Sequence, residues 1–310
     1  MYPSEQIQLY GLDKYFNEIK KLYDLKKMPN KIMLSGKKGS GKSTMAYHII
    51  NYILSQSEEN KYDIDKFSIN SLNRSYQLLK NKSHPNFYLI DLIDEKKNIE
   101  ISQIRQMINY TNKSSFNEIP RFILIDNIEN LNKNSSNALL KIIEEPNENI
   151  FFILIHNNNK RILPTLKSRC LTFKINLSFK QTVDICNFLL NENLLNLINN
   201  DLINYYSTPG DFINLINFGK EKKIDLKEFT LVSFLCFLID NNYYKKDKFI
   251  KDLIISYIEL YFLKRYQLSN TKNKILDIYY NFTKKINNTN TFNLDDESLF
   301  LEFKSKLLNG

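Results

Sequence analysis

The segment that decides the fold is Lys31-Ile-Met-Leu-Ser-Gly36-Lys-Lys-Gly39-Ser-Gly41-Lys42-Ser43-Thr44. It reads as a short apolar strand, a glycine loop and the start of a helix, and the loop fits the P-loop pattern G-x-x-x-x-G-K-[ST]. The glycines allow backbone N–H groups to face phosphate oxygens at a helix start, where the helix dipole also favours anions. We expect Lys42 to reach the outer phosphates of a nucleotide and Ser43 to offer its hydroxyl to Mg²⁺.

Glycine is scarce in this chain, so the match to the pattern is informative. Only 7 of the 310 residues are glycine, and three of them fall in this loop. The alternative is a strand-to-helix turn that binds nothing, and the strand and helix patterns on either side of the loop disfavour it. The predicted nucleotide-binding residues of the loop are Gly36, Gly39, Gly41, Lys42, Ser43 and Thr44.

The composition is that of an ordinary globular protein. The chain is 43% hydrophobic and 25% charged, and its net charge of +9 permits nucleic-acid contact without demonstrating it. The three cysteines are widely spaced and form no C-x-x-C motif, so we expect neither a disulfide framework nor a zinc site. The N-terminus lacks a signal-peptide pattern, and no apolar run is long enough to span a bilayer. We expect a cytoplasmic protein with no membrane partner.

Strand-like and helical patterns alternate through the first half of the chain. After the P-loop strand, the strand-like runs are Phe87–Leu92, Phe122–Ile125, Ile150–Ile155 and Leu171–Ile175. Helical patterns lie between them at about 99–110 and 135–145, the second of which stops at Pro146. This alternation predicts a parallel, doubly wound α/β sheet of five strands.

Only helical patterns follow residue 175. Short helices are predicted at 178–190, 193–204 and 211–218, and Gly219–Lys223 is interpreted as a linker. Longer helices are predicted at 228–240, 246–267, 272–287 and 295–308. The second of these has an apolar stripe that is typical of the core of a helical bundle. Residues 55–86 allow no assignment.

The apolar strand-like run Phe122–Ile125 is followed directly by the acid Asp126, as in a Walker B strand. A carboxylate at the C-terminal edge of a parallel sheet can hold the Mg²⁺ shell, so Ser43 and Asp126 are the predicted metal-binding pair. An ATPase normally carries a second acid directly afterwards to activate water, whereas this chain has Asn127, which cannot accept a proton. Glu129 lies two residues further on and is expected to point elsewhere. Hydrolysis by this chain is therefore doubtful.

Two further positions are candidates for contact with a nucleotide. Asn157 follows the strand-like run Ile150–Ile155, and Arg169 lies shortly before Leu171–Ile175. In a ring of subunits, the fixed guanidinium of Arg169 is suited to the γ-phosphate of a nucleotide on a neighbour. Without a family relationship, the alternative interpretation of Arg169 as an ordinary surface arginine is favoured.

In their order along the chain, these segments resemble the bacterial clamp-loader family of AAA+ proteins. The residues that carry the resemblance are the P-loop, His84-Pro-Asn-Phe-Tyr88, Ile104-Arg-Gln106, the strand before Asp126, Asn137-Ala-Leu-Leu-Lys141, Glu144-Glu-Pro146 and Leu163-Pro-Thr-Leu-Lys-Ser-Arg-Cys170. The likeness is dense from about residue 6 to residue 178 and weak beyond it. Its most specific part is Ser168-Arg169-Cys170.

The resemblance implies an AAA+ core at 1–176, a small helical lid at 177–220 and an all-α C-terminal collar at 221–310. It implies a subunit of a pentameric loader that works with gamma/tau and delta subunits to open the sliding clamp and place it on primer-template DNA. Arg169 matches the arginine finger of the family, which acts in trans on ATP held by the adjacent gamma/tau subunit. Asn157 matches the sensor-1 position, which reads the γ-phosphate.

Three departures distinguish this chain from the motor subunits of the family. Those subunits carry Glu where this chain has Asn127, and a zinc-binding cysteine cluster where residues 45–120 contain no cysteine. They also carry a nucleotide-sensing lid arginine where this chain has Thr208-Pro-Gly-Asp211. All three losses are expected of the stator subunit of the family. The resemblance therefore implies an ATP or ADP site with Mg²⁺, no zinc, and little or no hydrolysis.

Three functional hypotheses follow. The first is a stator that donates Arg169 in trans without turning over ATP itself. The second is an active AAA+ ATPase of the gamma/tau type that uses Lys42 and Asp126, which Asn127 argues against. The third is a DNA-binding module, motivated by the net charge but supported by no aromatic and basic interleaving and no helix-turn-helix pattern. A steep salt dependence of DNA affinity would be needed to support the third.

Overall fold

A computed structural model describes residues 2–93, 96–113, 118–145, 149–158, 160–292 and 296–305. The chain divides into two units. The first comprises Met1–Phe188 together with Thr208–Gly210, and the second comprises Leu189–Ser207 together with Asp211–Gly310. The predicted division of the helical part into a lid and a collar at residue 220 stays a prediction.

A sheet of five parallel strands forms the centre of the first unit. The strands are β1 (Lys31–Ser35), β2 (Phe87–Ile90), β3 (Arg121–Ile125), β4 (Ile150–His156) and β5 (Leu171–Lys174). Their spatial order is β2-β3-β4-β1-β5. In the register, Met33 of β1 lies between Leu154 of β4 and Thr172 of β5. The predicted five-stranded parallel sheet is therefore confirmed.

Helices cover both faces of this sheet. They are α1 (Asp13–Asp24), α2 (Lys42–Leu54), α3 (Arg74–Lys80), α4 (Ile101–Thr111), α5 (Lys133–Glu144) and α6 (Pro164–Lys167). The helix α7 (Phe179–Leu190) follows the last strand. The predicted helices at 99–110 and 135–145 correspond to α4 and α5, whereas Pro146 lies outside the described residues. Residues 55–86, which the sequence left unassigned, contain α3.

Alternation along β1 explains how both faces become buried. Ile32 and Leu34 belong to one apolar cluster, which includes Met45 of α2. Met33 belongs to the opposite cluster, which includes Leu139 of α5. Successive strand residues point to opposite faces, and a parallel sheet is normally covered on both. The result places the carboxyl ends of β1, β3 and β4 along one edge of the sheet, where the candidate site lies.

The second unit consists of helices. It contains α8 (Pro209–Lys222) except for the first two residues of that helix. It also contains α9 (Leu231–Asp240), α10 (Lys248–Leu268), α11 (Lys272–Phe292) and α12 (Asp296–Phe303). The predicted apolar stripe of α10 is buried, as expected for bundle core, and comprises Ile250, Leu253, Ile254, Tyr257, Ile258 and Tyr261. The predicted helix at 295–308 corresponds to α12, and residues 295 and 306–308 lie outside the described residues.

Two predictions for the helical part are wrong. The expected helix at 193–204 is replaced by two 3₁₀ turns, Leu194–Asn196 and Asn200–Leu202. Asn193 and Asn199 cap these turns through their side chains, which offers the backbone an alternative to a continuous helix.

The expected linker Gly219–Lys223 is helical instead, because α8 continues to Lys222. Lys220 and Lys222 lie in the last turn of α8, where positive charge interacts favourably with the helix dipole. The helix ends where Lys223 adopts a left-handed conformation with φ 56°. Within the described ranges, no helix combines the length and the apolar character needed to cross a membrane.

Candidate nucleotide-binding site

The glycine loop joins β1 to α2 at the carboxyl edge of the sheet. Gly39 and Gly41 have φ 79° and 82°, a left-handed conformation that L side chains rarely adopt. Gly36 is required for a different reason, because a Cβ there would lie 2.4 Å from the backbone oxygen of Ile175. The sequence therefore needs glycine at all three predicted positions, and α2 begins at the next residue, Lys42.

Lys42 is folded against the loop that precedes it. The side chain is only 3% exposed, and its Nζ atom donates to the carbonyl oxygens of Gly36 at 3.0 Å and Lys37 at 2.6 Å. Burial lowers the pKa of Lys42 to about 8, an effect that the nearby carboxylates of Asp126 and Glu129 oppose. The ammonium group thus lies within the loop itself. When a phosphate binds, Lys42 would replace its hydrogen bonds to these carbonyls by hydrogen bonds to phosphate oxygens.

The structure brings together the two predicted metal-binding residues. The Oγ atom of Ser43 donates to Oδ2 of Asp126 at 2.5 Å. Burial raises the pKa of Asp126 to about 6, with the Ser43 hydrogen bond acting in the opposite direction. Thr44 lies beside Ser43 in the first turn of α2.

This donor set fits Mg²⁺ held together with a nucleotide. Mg²⁺ commonly binds through one or two protein oxygen ligands and takes its remaining ligands from phosphates and water. Among the described residues, no group of three or more His, Cys, Asp or Glu side chains is placed to hold a metal ion. Ser43 and Asp126 would therefore hold the ion only as part of a nucleotide complex, in which it would neutralise phosphate charge.

Asn127 occupies the position where a hydrolytic enzyme carries its second acid. It adopts a left-handed conformation with φ 56°, and its side-chain amide donates one hydrogen bond and accepts another. Its Nδ2 atom donates to Oδ1 of Asp91 at 2.7 Å, and its Oδ1 atom accepts from Nδ2 of Asn157 at 2.9 Å. The amide is thus committed to a network and offers no carboxylate to a water molecule.

Glu129 also belongs to this network, so the expectation that it points elsewhere is wrong. Its Oε1 atom accepts from Nδ2 of Asn157 at 3.0 Å, and its Oε2 atom accepts from the backbone N–H of the same residue at 3.2 Å. Glu129 is only 7% exposed. The 3₁₀ turn Ile128–Asn130, which follows the left-handed Asn127, turns the Glu129 side chain back to the end of β4.

The predicted sensor residue therefore has both of its side-chain hydrogens engaged within the chain. Nδ2 of Asn157 carries two N–H groups, and the structure directs one to Asn127 and the other to Glu129. To donate to a phosphate, Asn157 would have to release one of these acceptors. The arrangement holds the three polar residues together without any contact to a nucleotide.

Sequence analysis did not identify Asp91 as part of the site. Asp91 follows the apolar strand β2 just as Asp126 follows β3, and the two carboxyl groups are close enough for Asp91 to raise the pKa of Asp126. The signal was present in the sequence, because an acid directly after a buried parallel strand lies at the carboxyl edge of the sheet.

The segment Thr208–Gly210 contacts the glycine loop from the side. The backbone N–H of Gly210 donates to the carbonyl of Gly39 at 3.0 Å. A Cβ on Gly210 would lie 2.7 Å from Cα of Gly39, and a Cβ on Gly39 would lie 2.5 Å from Oγ1 of Thr208. In the family that this chain resembles, the nucleotide-sensing lid arginine occupies the position of this segment. Here the segment contacts the glycine loop through the backbone of Gly210 and not through a cationic side chain.

Arg169 is not part of this cluster. Its Nη2 atom donates to Oε1 of Glu144 at 2.6 Å, and its Nη1 atom donates to the carbonyl of Thr165 at 3.0 Å. The structure therefore gathers Lys42, Ser43, Asp126 and Asn157 at one edge of the sheet and holds Arg169 against α5 and α6. The guanidinium in this place is exposed.

Comparison with known proteins adds a family match. The family model described as "DNA polymerase III, delta subunit" matches residues 11–178, which is more than half of the chain. A similar protein is the DNA polymerase III subunit delta' of Buchnera aphidicola subsp. Schizaphis graminum, 27% identical over 290 residues, which cover 89% of this chain and 84% of the relative.

Two other relatives match shorter stretches. The DNA polymerase III subunit delta' of Pseudomonas aeruginosa is 32% identical over 97 residues, which are 31% of this chain and 30% of the relative. The DNA polymerase III subunit gamma of the same Buchnera subspecies is 34% identical over 168 residues, 54% of this chain and 43% of the relative. In both alignments the match spans less than half of the relative.

Proposed function

This chain belongs to the DNA polymerase III delta-subunit family, and from that premise we propose that it is a delta-prime subunit acting as the stator of a clamp loader. The resemblance to the clamp-loader family is confirmed by the match over residues 11–178. In this proposal the chain assembles with gamma/tau and delta subunits, and the assembled complex loads the sliding clamp onto primer-template DNA. Contact with DNA belongs to the complex.

The observation that carries the stator proposal is the environment of Asn127. A stator does not need to activate water, and Asn127 supplies an amide whose donor and acceptor are already used by Asp91 and Asn157. Arg169, in contrast, is exposed at the surface with a cationic group that suits the phosphate of a nucleotide on a neighbouring subunit. We propose that the chain contributes this arginine in trans and hydrolyses little or no ATP itself.

The proposed ligand of the P-loop is ATP or ADP with Mg²⁺. The glycine loop, Lys42 and the Ser43–Asp126 pair support nucleotide binding, because they combine backbone N–H groups, a cation and a metal-binding pair at one helix start. Binding without hydrolysis would make the nucleotide a structural ligand of this subunit.

The second candidate is an active ATPase subunit of the gamma/tau type. The observation that favours it is the same intact loop, in which Lys42, Ser43 and Asp126 are placed as a hydrolytic enzyme would place them. Under this alternative, the carboxylate of Asp91 or Glu129 would have to take over the role that Asn127 lacks.

Reconstitution of the complex distinguishes the two candidates. Gamma and delta subunits would be combined with wild-type chain, Lys42→Ala or Arg169→Ala, and clamp- and DNA-stimulated ATP hydrolysis would be followed in each assembly. The stator proposal predicts that Arg169→Ala lowers hydrolysis by the complex, because an arginine finger contributes about 10³-fold or more at the one site that it serves, and that Lys42→Ala changes hydrolysis little. A comparable loss with Lys42→Ala would instead support the active ATPase.

A further inference from the structure

Arg169 is held in place by two elements of its own chain. Glu144 is the last residue of α5, and Thr165 lies in α6, so a helix end and a neighbouring turn converge on one guanidinium. The Arg169 side chain is 36% exposed and that of Glu144 is 50% exposed, so another molecule can reach both. These contacts use two N–H groups of the guanidinium, and within the part of the chain that the structure describes its other three donors make no hydrogen bond.

This contact differs in kind from the other ion pairs of the chain. Eleven ion pairs occur among the described residues, and the pair of Arg169 with Glu144 is the one that uses an arginine. Lysine behaves as a point charge on a flexible stem, whereas the planar guanidinium has a fixed fork of donors. The two contacts of Arg169 therefore fix the orientation of the remaining donors as well as the position of the charge.

We propose that Glu144 is a positioning residue for Arg169. Together with the carbonyl of Thr165, its carboxylate holds the guanidinium so that the remaining N–H donors are presented to the phosphate of a nucleotide bound by a neighbouring subunit. This inference rests on the proposed function, because it requires Arg169 to act in trans. It also gives a physical reason why the motifs around Asn137–Glu144 and Ser168-Arg169-Cys170 occur together, since the first supplies the carboxylate that orients the arginine of the second.

The expected effect is modest and falls on the turnover number. An arginine that is already oriented loses less rotamer freedom when it meets the transferring phosphate. Because the ion pair is exposed and therefore weak, its loss should lower kcat by about 2- to 5-fold. The nucleotide binds to the P-loop of the neighbour, so KM for ATP should not change.

The test compares four versions of the chain in the reconstituted complex with gamma and delta subunits. These are the wild type, Glu144→Ala, Glu144→Gln and the matched control Glu145→Ala. Glu145 is also exposed and takes part in none of the ion pairs among the described residues. We expect a reduced kcat with unchanged KM for Glu144→Ala, substantial recovery for Glu144→Gln because its amide oxygen still accepts from Arg169, and wild-type values for the control.

Combination with Arg169→Ala shows whether Glu144 acts through the arginine. We expect the double variant Glu144→Ala/Arg169→Ala to be no slower than Arg169→Ala alone. The positioning role is overturned if Glu144→Ala keeps the wild-type kcat, if Glu145→Ala causes the same loss, or if the double variant is slower than Arg169→Ala. If Arg169→Ala itself leaves turnover unchanged, the trans role of the arginine is wrong and the positioning role falls with it.

Discussion

The side-chain amide of Asn127 donates to the carboxylate of Asp91 across 2.7 Å. The two residues follow the neighbouring strands β3 and β2, so the bond links the carboxyl ends of two strands. The site thus contains an acid next to the position where a hydrolytic enzyme carries one, but on the adjacent strand. Because Asn and Asp have the same shape, the donor and the acceptor can be swapped between the two positions without changing the geometry of the bond.

Asn127→Asp should destabilise the chain. The change is isosteric, but it replaces the amide donor by a second carboxylate facing Asp91, and two such groups at this distance repel each other. We expect a loss of about 1–2 kcal/mol in the free energy of unfolding at neutral pH, measured by urea titration.

The exchanged pair is the control for that experiment. The double variant Asp91→Asn/Asn127→Asp restores one donor and one acceptor, so most of the lost stability should return. If the single and the double variants are equally unstable, the hydrogen bond between the two residues is not what matters at this position.

Asn157→Ala should lower stability more than it changes nucleotide preference. The substitution removes one of the two hydrogen bonds that the Glu129 carboxylate, only 7% exposed, accepts from residue 157, and a buried acceptor left without its donor typically costs about 1–3 kcal/mol. The backbone donor of residue 157 remains, so we expect the lower part of that range. The ratio of affinities for ADP and a non-hydrolysable ATP analogue, measured by fluorescence titration, should stay within about threefold. A selective loss of affinity for the triphosphate would mean that Asn157 leaves Glu129 to bind phosphate.

Gly210→Ala should loosen the contact between the segment Thr208–Gly210 and the glycine loop. Alanine is the better helix former, yet its Cβ would lie 2.7 Å from Cα of Gly39, where the backbone cannot yield. We expect a net loss of about 1–2 kcal/mol and faster amide hydrogen exchange at residues of the glycine loop.

Gly219→Ala in the same helix is the matched control. There the added Cβ would lie 3.1 Å from side-chain atoms of Leu226 and not against backbone, so a shift of a few tenths of an ångström suffices and we expect a smaller loss of stability than for Gly210→Ala. Equal destabilisation by the two substitutions would show that the Gly39 contact has no special role.

His48 should make the first unit sensitive to acid. Its ring is completely buried between the hydroxyl of Tyr62 and the carbonyl of Gln6, each at 2.9 Å, and burial lowers its pKa from 6.5 to about 4. The unfolded chain therefore binds a proton between pH 6.5 and 4 that the folded chain does not, so stability falls as the pH decreases through this window. The difference of 6.5 − 4 = 2.5 pH units corresponds to about 3 kcal/mol at most.

The comparison with His48→Gln isolates this contribution. Urea unfolding at pH 7 and pH 4.5 should show a larger loss of stability for the wild type than for the variant, because glutamine has no proton to gain. Parallel losses in the two proteins would mean that folding does not lower the pKa of His48.

The sheet and the P-loop could be predicted because their signals are local. Apolar runs of strand length, the scarcity of glycine outside the loop and the acid at the end of β3 are all readable over a few residues. The residue after the acid, Asn127, was readable for the same reason. These local signals were enough to place Lys42, Ser43 and Asp126 at one edge of the sheet.

What could not be predicted depends on contacts between distant segments. Glu129 joins the site because a left-handed residue and a 3₁₀ turn reverse its direction, and neither is visible in an apolar pattern. The pairing of Arg169 with Glu144 joins residues 25 positions apart, and nothing in either motif specifies its partner. The helical interpretation of 193–204 failed because the side chains of two asparagines compete for backbone N–H groups that a helix would need.

The first unit is discontinuous along the chain, since Thr208–Gly210 belongs to it while the residues on both sides belong to the second unit. No single cut can therefore separate the two. A fragment that ends at Phe188 would keep the whole sheet and the glycine loop but would lose the N–H group that binds the carbonyl of Gly39. Dissecting this protein requires either a second peptide supplied in trans or a short linker that joins Phe188 to Thr208 in place of the residues between them.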